Sequence, residues 1–450
     1  MESVVASHDP PLLYSLLDRF LVLIEWLIGA PVYAIPQRRL GGLLEADGSD
    51  QEKVFGRQPL VAAMLAALVG SAAKLTPLRR WTFAKAIEAA LRTRRALIKW
   101  VLAKKEIADI PLPPPLLVTG LPHAGASLLQ RLLACDPGAR AFRAFEMDKM
   151  LMEDLFPPPS KRGYQDHPNI DREGRIMLDE PRLAPSFYIS CFQSHRKDPT
   201  DFEDDCMILE HQLYFWSIID SKVSSLRFNN EYMLEVYIYL KRYLQALTST
   251  YKPKSHIILK SNFHSHSLPS FLSVFPNARI ITTHRQIPQV LPSLTLLTAR
   301  LASLSTSQST PLPRSTVTSF CTTELKHMST SLLDLRRRVA QDWFTPFPNI
   351  ATPPPSSNHA ISSKQFFDVS HDALVRDPIL TVKAIYKHFD MPFSADFEKA
   401  MREYVRMNPP FATRKVMGVE ERRRVESAYG IPSMQELQES FADYHSYFGV

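Results

Sequence analysis

The sequence predicts an α/β fold, a central parallel sheet flanked by helices, preceded by a helical N-terminal extension. Three observations carry this reading. The stretch Leu116 to Leu129, LLVTGLPHAGASLL, is an apolar run, a turn with Gly120 and Gly125 five apart, and a second apolar run. That is the outline of a strand, a phosphate-binding loop and a helix. Downstream, short apolar strands alternate with longer helical patterns, as in a parallel sheet covered by helices. Upstream, residues to about Asp109 carry apolar side chains at three-and-four spacing with Arg and Lys between them, which reads as helix. The expected division is 1–109 for the helical extension and 110–450 for the α/β domain.

Taken in order, Leu12 to Ile35 is strongly apolar but interrupted by Asp18, Arg19 and Glu25. Its longest clean run falls short of the roughly 20 residues of a spanning helix, and neither a basic leader nor a small-residue cleavage site accompanies it. A core-packing amphipathic helix is the first expectation, and an interfacial helix making peripheral membrane contact is the second. Leu60 to Val69 and Trp81 to Ile98 read as helices, and Pro111 to Pro115 break the chain before the strand Leu116 to Thr119. In the block His256 to Ser293, two strands, His256 to Leu259 and Ala278 to Thr282, flank an amphipathic helix around Leu268 to Phe275. Ser303 to Thr318 and Ala351 to Ser363 are Ser/Thr/Pro-rich without apolar periodicity and read as inserted loops, with a helix from Ser319 to Asp342 between them.

Composition narrows the function classes. A hydrophobic fraction of 45% with 25 Phe describes a globular chain. The net charge of +7 suits an anionic small molecule or an acidic membrane surface. Without concentrated Lys/Arg stripes it argues against a nucleic-acid partner. Cys135, Cys191, Cys206 and Cys321 are far apart with no C-x-x-C pair, and no Asn begins an N-x-[ST] acceptor. A reducing, cytoplasmic compartment is the expectation, with neither a disulfide framework nor a zinc site.

The loop has the spacing G-x-x-x-x-G-x-[ST], closed by Ser127, but the lysine that a nucleotide hydrolase places before the hydroxyl is Ala126. Backbone N–H groups of such a turn hold an anion without help from side chains, whereas the lysine serves the β- and γ-phosphates. The pattern therefore keeps an anion cradle and disfavours an NTP-using kinase or ATPase. Arg285 and Ser293 follow the second strand of the later block, eight apart. Ligands of open α/β sheets bind at that carboxyl edge, and a guanidinium beside a hydroxyl makes a phosphate fork.

With these blocks in hand, the chain resembles the sulfotransferases that use 3′-phosphoadenylyl sulfate (PAPS). It is most similar to the branch with a helical N-terminal extension and a loop of the form G-L-P-R-T-G-T-T. Where that branch reads L-K-S-P-x-H, F-P-D-A-R-I-V-x-T-H-R-D-P and a Ser, this chain has LKSNFH (Leu259 to His264), FPNARIITTHR (Phe275 to Arg285) and Ser293. FFDVSHDALVRDPILTVKAIYKHF and the ending QESFADYHSYFGV are also similar. The resemblance implies a P-loop-like sulfotransferase fold and transfer of a sulfuryl group from PAPS to a hydroxyl or amine of a small-molecule acceptor, with no metal required. An apolar N-terminus hints at a lipophilic acceptor.

It further implies that Gly120, Leu121, Pro122, His123, Ala124, Gly125, Ala126, Ser127 and Leu128 cradle the 5′-phosphosulfate and that Arg285 and Ser293 grip the 3′-phosphate. Glu146 lies in the neighbourhood of the general base that an acceptor hydroxyl needs, and reads either as that base or as a structural salt-bridge partner. The same resemblance implies that Lys260 stabilises the leaving nucleotide and that His123 assists transfer. His211 and the aromatics of LYFW (Leu213 to Trp216) line either an acceptor pocket or the core. The chain departs from the pattern at His123, where the family has Arg, at Ala124 and Ala126, where it has Thr, and at Asn262 and Gln286. The family's basic C-terminal motif is blurred into Arg414, Lys415 and Arg422 to Arg424. Two lost hydroxyl contacts at about 1 kcal/mol each weaken donor binding by an order of magnitude. The alternative is thus a degenerate relative that binds nucleotide or a partner without catalysis.

Overall fold

The computed structural model describes residues 12–44, 49–56, 58–72, 75–147, 202–214, 228–250, 252–305, 313–341, 361–408 and 417–450. Five helices lead: α1 (Leu12–Ile28), α2 (Gln37–Leu44), α3 (Ser49–Phe55), α4 (Pro59–Ala72) and α5 (Pro77–Ala103). The longest, α5, starts at Pro77, where a missing N–H is harmless, and buries Phe83, Ile87, Leu91, Ile98 and Val101 along one side. Three- and four-residue steps put these on a common face.

The expectation that the first apolar segment packs into the core is corrected. Helix α1 attaches by its polar side: Asp18 accepts from Thr76 Oγ1 at 2.5 Å and from the Leu78 N–H at 3.1 Å. Glu25 pairs with Arg80 and accepts from the Val32 N–H at 2.8 Å. Hydrogen bonds to two carboxylates outweigh apolar burial here, and the opposite, apolar face points outward.

The sheet follows: β1 (Pro115–Gly120), β2 (Ala139–Ala141), β3 (His256–Lys260), β4 (Arg279–His284) and β5 (Phe366–Ser370), in the order β2-β3-β1-β4-β5. All four pairings are parallel. The crossover segments carry α6 (Ala126–Leu133), α7 (Ala144–Met147), α8 (Cys206–Leu209), α9 (Asn230–Thr250), α10 (Leu268–Val274), α11 (Ile287–Ser305) and α12 (Arg314–Ala340). After β5 come α13 (His371–Arg376), α14 (Pro378–His388), α15 (Ala395–Met407), α16 (Val419–Tyr429), α17 (Met434–Ser440) and α18 (Ala442–Phe448).

Strands buried on both faces read as continuous apolar runs, and β1 is buried throughout. Its alternate residues serve two cores. Leu117 joins Leu259, Ile280 and Phe366 under helices α4, α5, α9 and α12. Leu116 and Val118 join Ile258, Ile281 and Val369 under α6, α14 and α15. The N-terminal helices thus share a core with the sheet.

Two expected insertions need adjustment. Ser303 to Thr318 is helical at both ends, because α11 continues to Ser305 and α12 begins at Arg314 directly after Pro313, whose ring pre-sets a helix start. Only 306–312 lie outside the described residues, as do 351–360 of the second segment and also Arg414 and Lys415. Beyond the second gap, Gln365 donates to the carbonyls of Pro276 and Ala278 at 2.8 and 2.9 Å, fixing the entry to β5.

Candidate active site

The chain runs from β1 outward to β2, returns through β3, and crosses β1 to reach β4 and β5. The connections therefore diverge at β1, and the crevice at its carboxyl end is where such sheets bind ligands. That end is Gly120, whose φ of 118° only glycine adopts readily. A Cβ there would meet the Thr283 carbonyl oxygen at 2.2 Å, because β1 and β4 approach closely and Leu121 N–H donates to that same oxygen at 3.1 Å. Ser265 closes the other side: its Oγ accepts from the Gly120 N–H at 2.9 Å and meets Thr119 Oγ1 at 2.9 Å.

Two further left-handed residues, His123 (φ 57°) and Gly125 (φ 96°), curl the loop into α6. A Cβ on Gly125 would meet Leu374 Cδ2 at 2.8 Å, with His371 Cδ2 at 3.7 Å, so β5's own following helix backs the loop. The turn leaves a row of donors. The Leu129 N–H returns to the Gly125 carbonyl at 3.1 Å, but among the described residues nothing accepts from the N–H groups of Ala124 through Leu128. Ala124, Gly125 and Ala126 are buried. Buried N–H groups at a helix start are an anion site.

Arg285, just past β4, lies across this loop, donating from Nη1 to the His123 carbonyl at 2.9 Å and from Nε to Gln289 Oε1 at 3.0 Å. Ser293 sits about two turns into α11, half-buried. The turn between β4 and α11 is held by the chain's last helix. His284 Nδ1 meets Tyr444 Oη at 2.6 Å, its Nε2 meets Asp368 Oδ1 at 3.1 Å, and Phe448 stacks on its ring. Burial lowers the His284 pKa. Burial works against the Asp368 charge, but His284 and Arg336 outweigh it and hold the carboxyl below its usual range. A neutral imidazole beside a carboxylate donates from Nε2, so Nδ1 accepts from the Tyr444 hydroxyl. His445 Nε2 then accepts the Ile287 N–H at 3.2 Å.

The β3 side is different in kind. Lys260 donates to Asp204 Oδ2 at 2.7 Å. Burial opposes charge on both, yet their attraction prevails: the lysine pKa is raised and the carboxyl's lowered. Glu146 lies farther out, after β2. Its Oε1 accepts from Arg140 Nη2 at 2.7 Å and its Oε2 from the Arg143 N–H at 2.9 Å, and the residue is buried. The structure thus gathers the loop and Arg285 around β1, sets Lys260 one strand away, and holds Glu146 in an ion pair two strands away. His211 is buried, its Nδ1 meeting Tyr239 Oη at 3.2 Å. Leu213 and Tyr214 are core residues, and Phe215 and Trp216 lie outside the described residues.

Sequence reasoning missed Asp204, Ser265 and His371. The last was findable, since it directly follows a strand as Arg285 does. Asp204 was not: only folding brings the acidic run Glu203 to Asp205 onto the end of β3.

This arrangement matches known proteins. A sulfotransferase-family model covers residues 114–395, more than half the chain. Among solved structures, sulfotransferase STF9 from Mycobacterium avium superposes with a TM-score of 0.67 at 20% identity, covering 93% of this chain and 98% of its own. Sulfotransferase STF1 from Mycobacterium tuberculosis H37Rv follows at 0.57 and 19%, covering 90% and 97%. No curated protein matches the chain. A matched family over most of the sheet, with the phosphate-type loop at its carboxyl edge, makes the chain a member of the sulfotransferase family, a transferase of sulfuryl groups.

Proposed function

We propose that this sulfotransferase takes its sulfuryl group from 3′-phosphoadenylyl sulfate and delivers it to a hydroxyl or amine of a small, lipophilic acceptor in a reducing, cytoplasmic compartment. The row of N–H groups from Ala124 to Leu128, without an acceptor among the described residues and buried at its start, carries the donor reading. It fits the 5′-phosphosulfate, while Arg285 and Ser293 fit the 3′-phosphate. In the reaction the acceptor oxygen or nitrogen attacks sulfur, the bond from sulfur to the 5′-phosphate oxygen breaks, and the electron pair leaves with the nucleotide. The acceptor's proton passes to a base.

Lys260 has three N–H groups and gives one to Asp204, so two remain for the leaving oxygens. His123, on the rim of the loop, adds a donor there. Glu146 stands in the family's position for the base. Its two oxygens already accept from Arg140 Nη2 and the Arg143 N–H, and Glu146→Gln separates the base role from the structural one. Lost turnover with unchanged donor affinity, in a variant that stays folded at the assay temperature, supports the base. A lowered melting temperature with turnover intact makes the residue a structural one.

Calorimetric titration with adenosine 3′,5′-bisphosphate tests the donor assignment, against ADP and against Arg285→Ala. Micromolar binding that prefers the 3′-phosphate and is lost in the variant supports it. Equal affinity for ADP, or full affinity in the variant, sinks it.

A further inference from the structure

Among the described residues, nine of the fourteen exposed large apolar side chains fall between Leu16 and Val32. On α1, Leu16, Phe20, Leu23 and Leu27 step by four, three and four and so form one stripe. Trp26 beside it is 77% exposed. A monomer rarely leaves such a patch bare. The helix is also fixed in this orientation, because its two carboxylates bind the body of the protein through Thr76, Leu78 and Arg80. Within 12–44 the acidic side chains, Asp18 and Glu25, are thereby turned inward, while Arg19, Arg38 and Arg39 occupy exposed positions.

We infer that α1 is an interfacial helix that seats this protein on an anionic lipid surface. Three features select lipid. No helix among the described residues is long and apolar enough to cross a membrane, so the stripe lies along a surface. Tryptophan combines an apolar ring with one N–H and suits the headgroup boundary. Among the described residues from 16 to 44 the exposed charges are Arg19, Arg38 and Arg39, the last paired with Glu88, which leaves a basic balance complementary to acidic headgroups. A second copy of the chain docking on α1 would instead bring one basic patch against another, with no exposed acidic side chain among the described residues from 16 to 44 to match it. The inference stands apart from the donor and acceptor assignments, since none of these residues belongs to the loop or the sheet edge.

Sedimentation of the full chain with phosphatidylcholine vesicles, with and without phosphatidylserine, tests it. Binding is expected on the anionic vesicles and weakens with salt. Leu23→Glu combined with Leu27→Glu lowers partitioning roughly tenfold or more by placing charge on the lipid side. Arg19→Glu with Arg38→Glu removes the preference for the anionic vesicles. All four positions are exposed, so circular dichroism and melting temperature should match the parent. Brominated lipid quenches the parent's emission more than that of Trp26→Phe, which isolates Trp26 from the other tryptophans. No binding by the parent, or binding unchanged by the paired glutamates, overturns the inference. So does a concentration-dependent dimer, lost in the paired-glutamate variant, in a protein that ignores vesicles.

Discussion

The two flanks of β1 are built in opposite ways. Toward β4, the loop is shaped by backbone: Gly120 against the Thr283 carbonyl, left-handed His123 and Gly125, and Arg285 resting on a carbonyl oxygen. Among the described residues, the backbone donors of Ala124 to Leu128 have no carboxylate acceptor. Toward β3 and β2, each candidate side chain already has an opposite charge, Lys260 with Asp204 and Glu146 with Arg140. The difference teaches that one flank offers a preformed row of backbone donors, while the charges on the other are already matched in pairs. If Lys260 serves the leaving nucleotide as proposed, its stabilisation is gained against Asp204 rather than from a free cation.

The largest effect is expected at the backbone of the first flank. Gly120→Ala puts a Cβ into the Thr283 carbonyl oxygen at a φ that L-residues avoid, and a loss of about 4 kcal/mol or failure to fold should follow. An unchanged melting temperature would break the claim that strand approach shapes the loop. On the second flank, Arg140→Met strands the buried Glu146 carboxylate and should destabilise by about 3–5 kcal/mol. Glu146→Gln keeps one acceptor oxygen but turns an NH2 toward the second donor, so it should lose about 1–3 kcal/mol, less than the stranded carboxylate costs. Equal losses in the two variants, read from denaturant titration, would contradict the pairing.

Acid should weaken the sheet from its opposite end. His256, at the start of β3, is buried, and burial lowers its pKa to about 4 from 6.5. Between those values the unfolded chain holds the proton and the folded one does not, so unfolding takes up a proton and stability rises with pH. The contribution is full above pH 6.5, is lost as pH falls toward 4, and amounts to at most about 3 kcal/mol. His256→Gln should flatten that part of the stability profile relative to the parent. Donor titrations comparing the two flanks therefore belong at pH 7 or above. The smallest effect on the fold is expected for Arg285→Ala. Affinity for adenosine 3′,5′-bisphosphate should drop by about ten- to a hundredfold, the worth of a charged hydrogen bond, while the melting temperature holds. A drop in melting temperature instead would make Arg285 a brace for the His123 turn.

Much of the first flank was legible before folding. Gly120 and Gly125 at fixed spacing, an apolar run on each side, and Arg285 directly after a strand are local signals, and backbone geometry is a local matter. His371 carries the same signal and was overlooked. The second flank was legible only in part. Lys260 ends a readable strand, but its partner lies 56 residues upstream, and nothing in the run around Asp204 marks it for β3. Glu146 was readable as a carboxylate in the right neighbourhood, and its commitment to Arg140 was not, because β2 is three residues long and shows no periodicity. Helix α1 misled for a related reason. Its apolar content was visible, but which face turns inward was decided by Thr76, Leu78 and Arg80 on another helix.

By itself, the sequence determined the strands and helices, the parallel sheet they imply, the phosphate-type loop and the chemistry of its backbone, because those follow from periodicity and from glycine's access to left-handed conformations. Only the tertiary structure decided which charges meet across the sheet edge and which face of α1 is left outside. Pairing energies between side chains depend on distances that residues remote in the chain acquire only when the strands assemble.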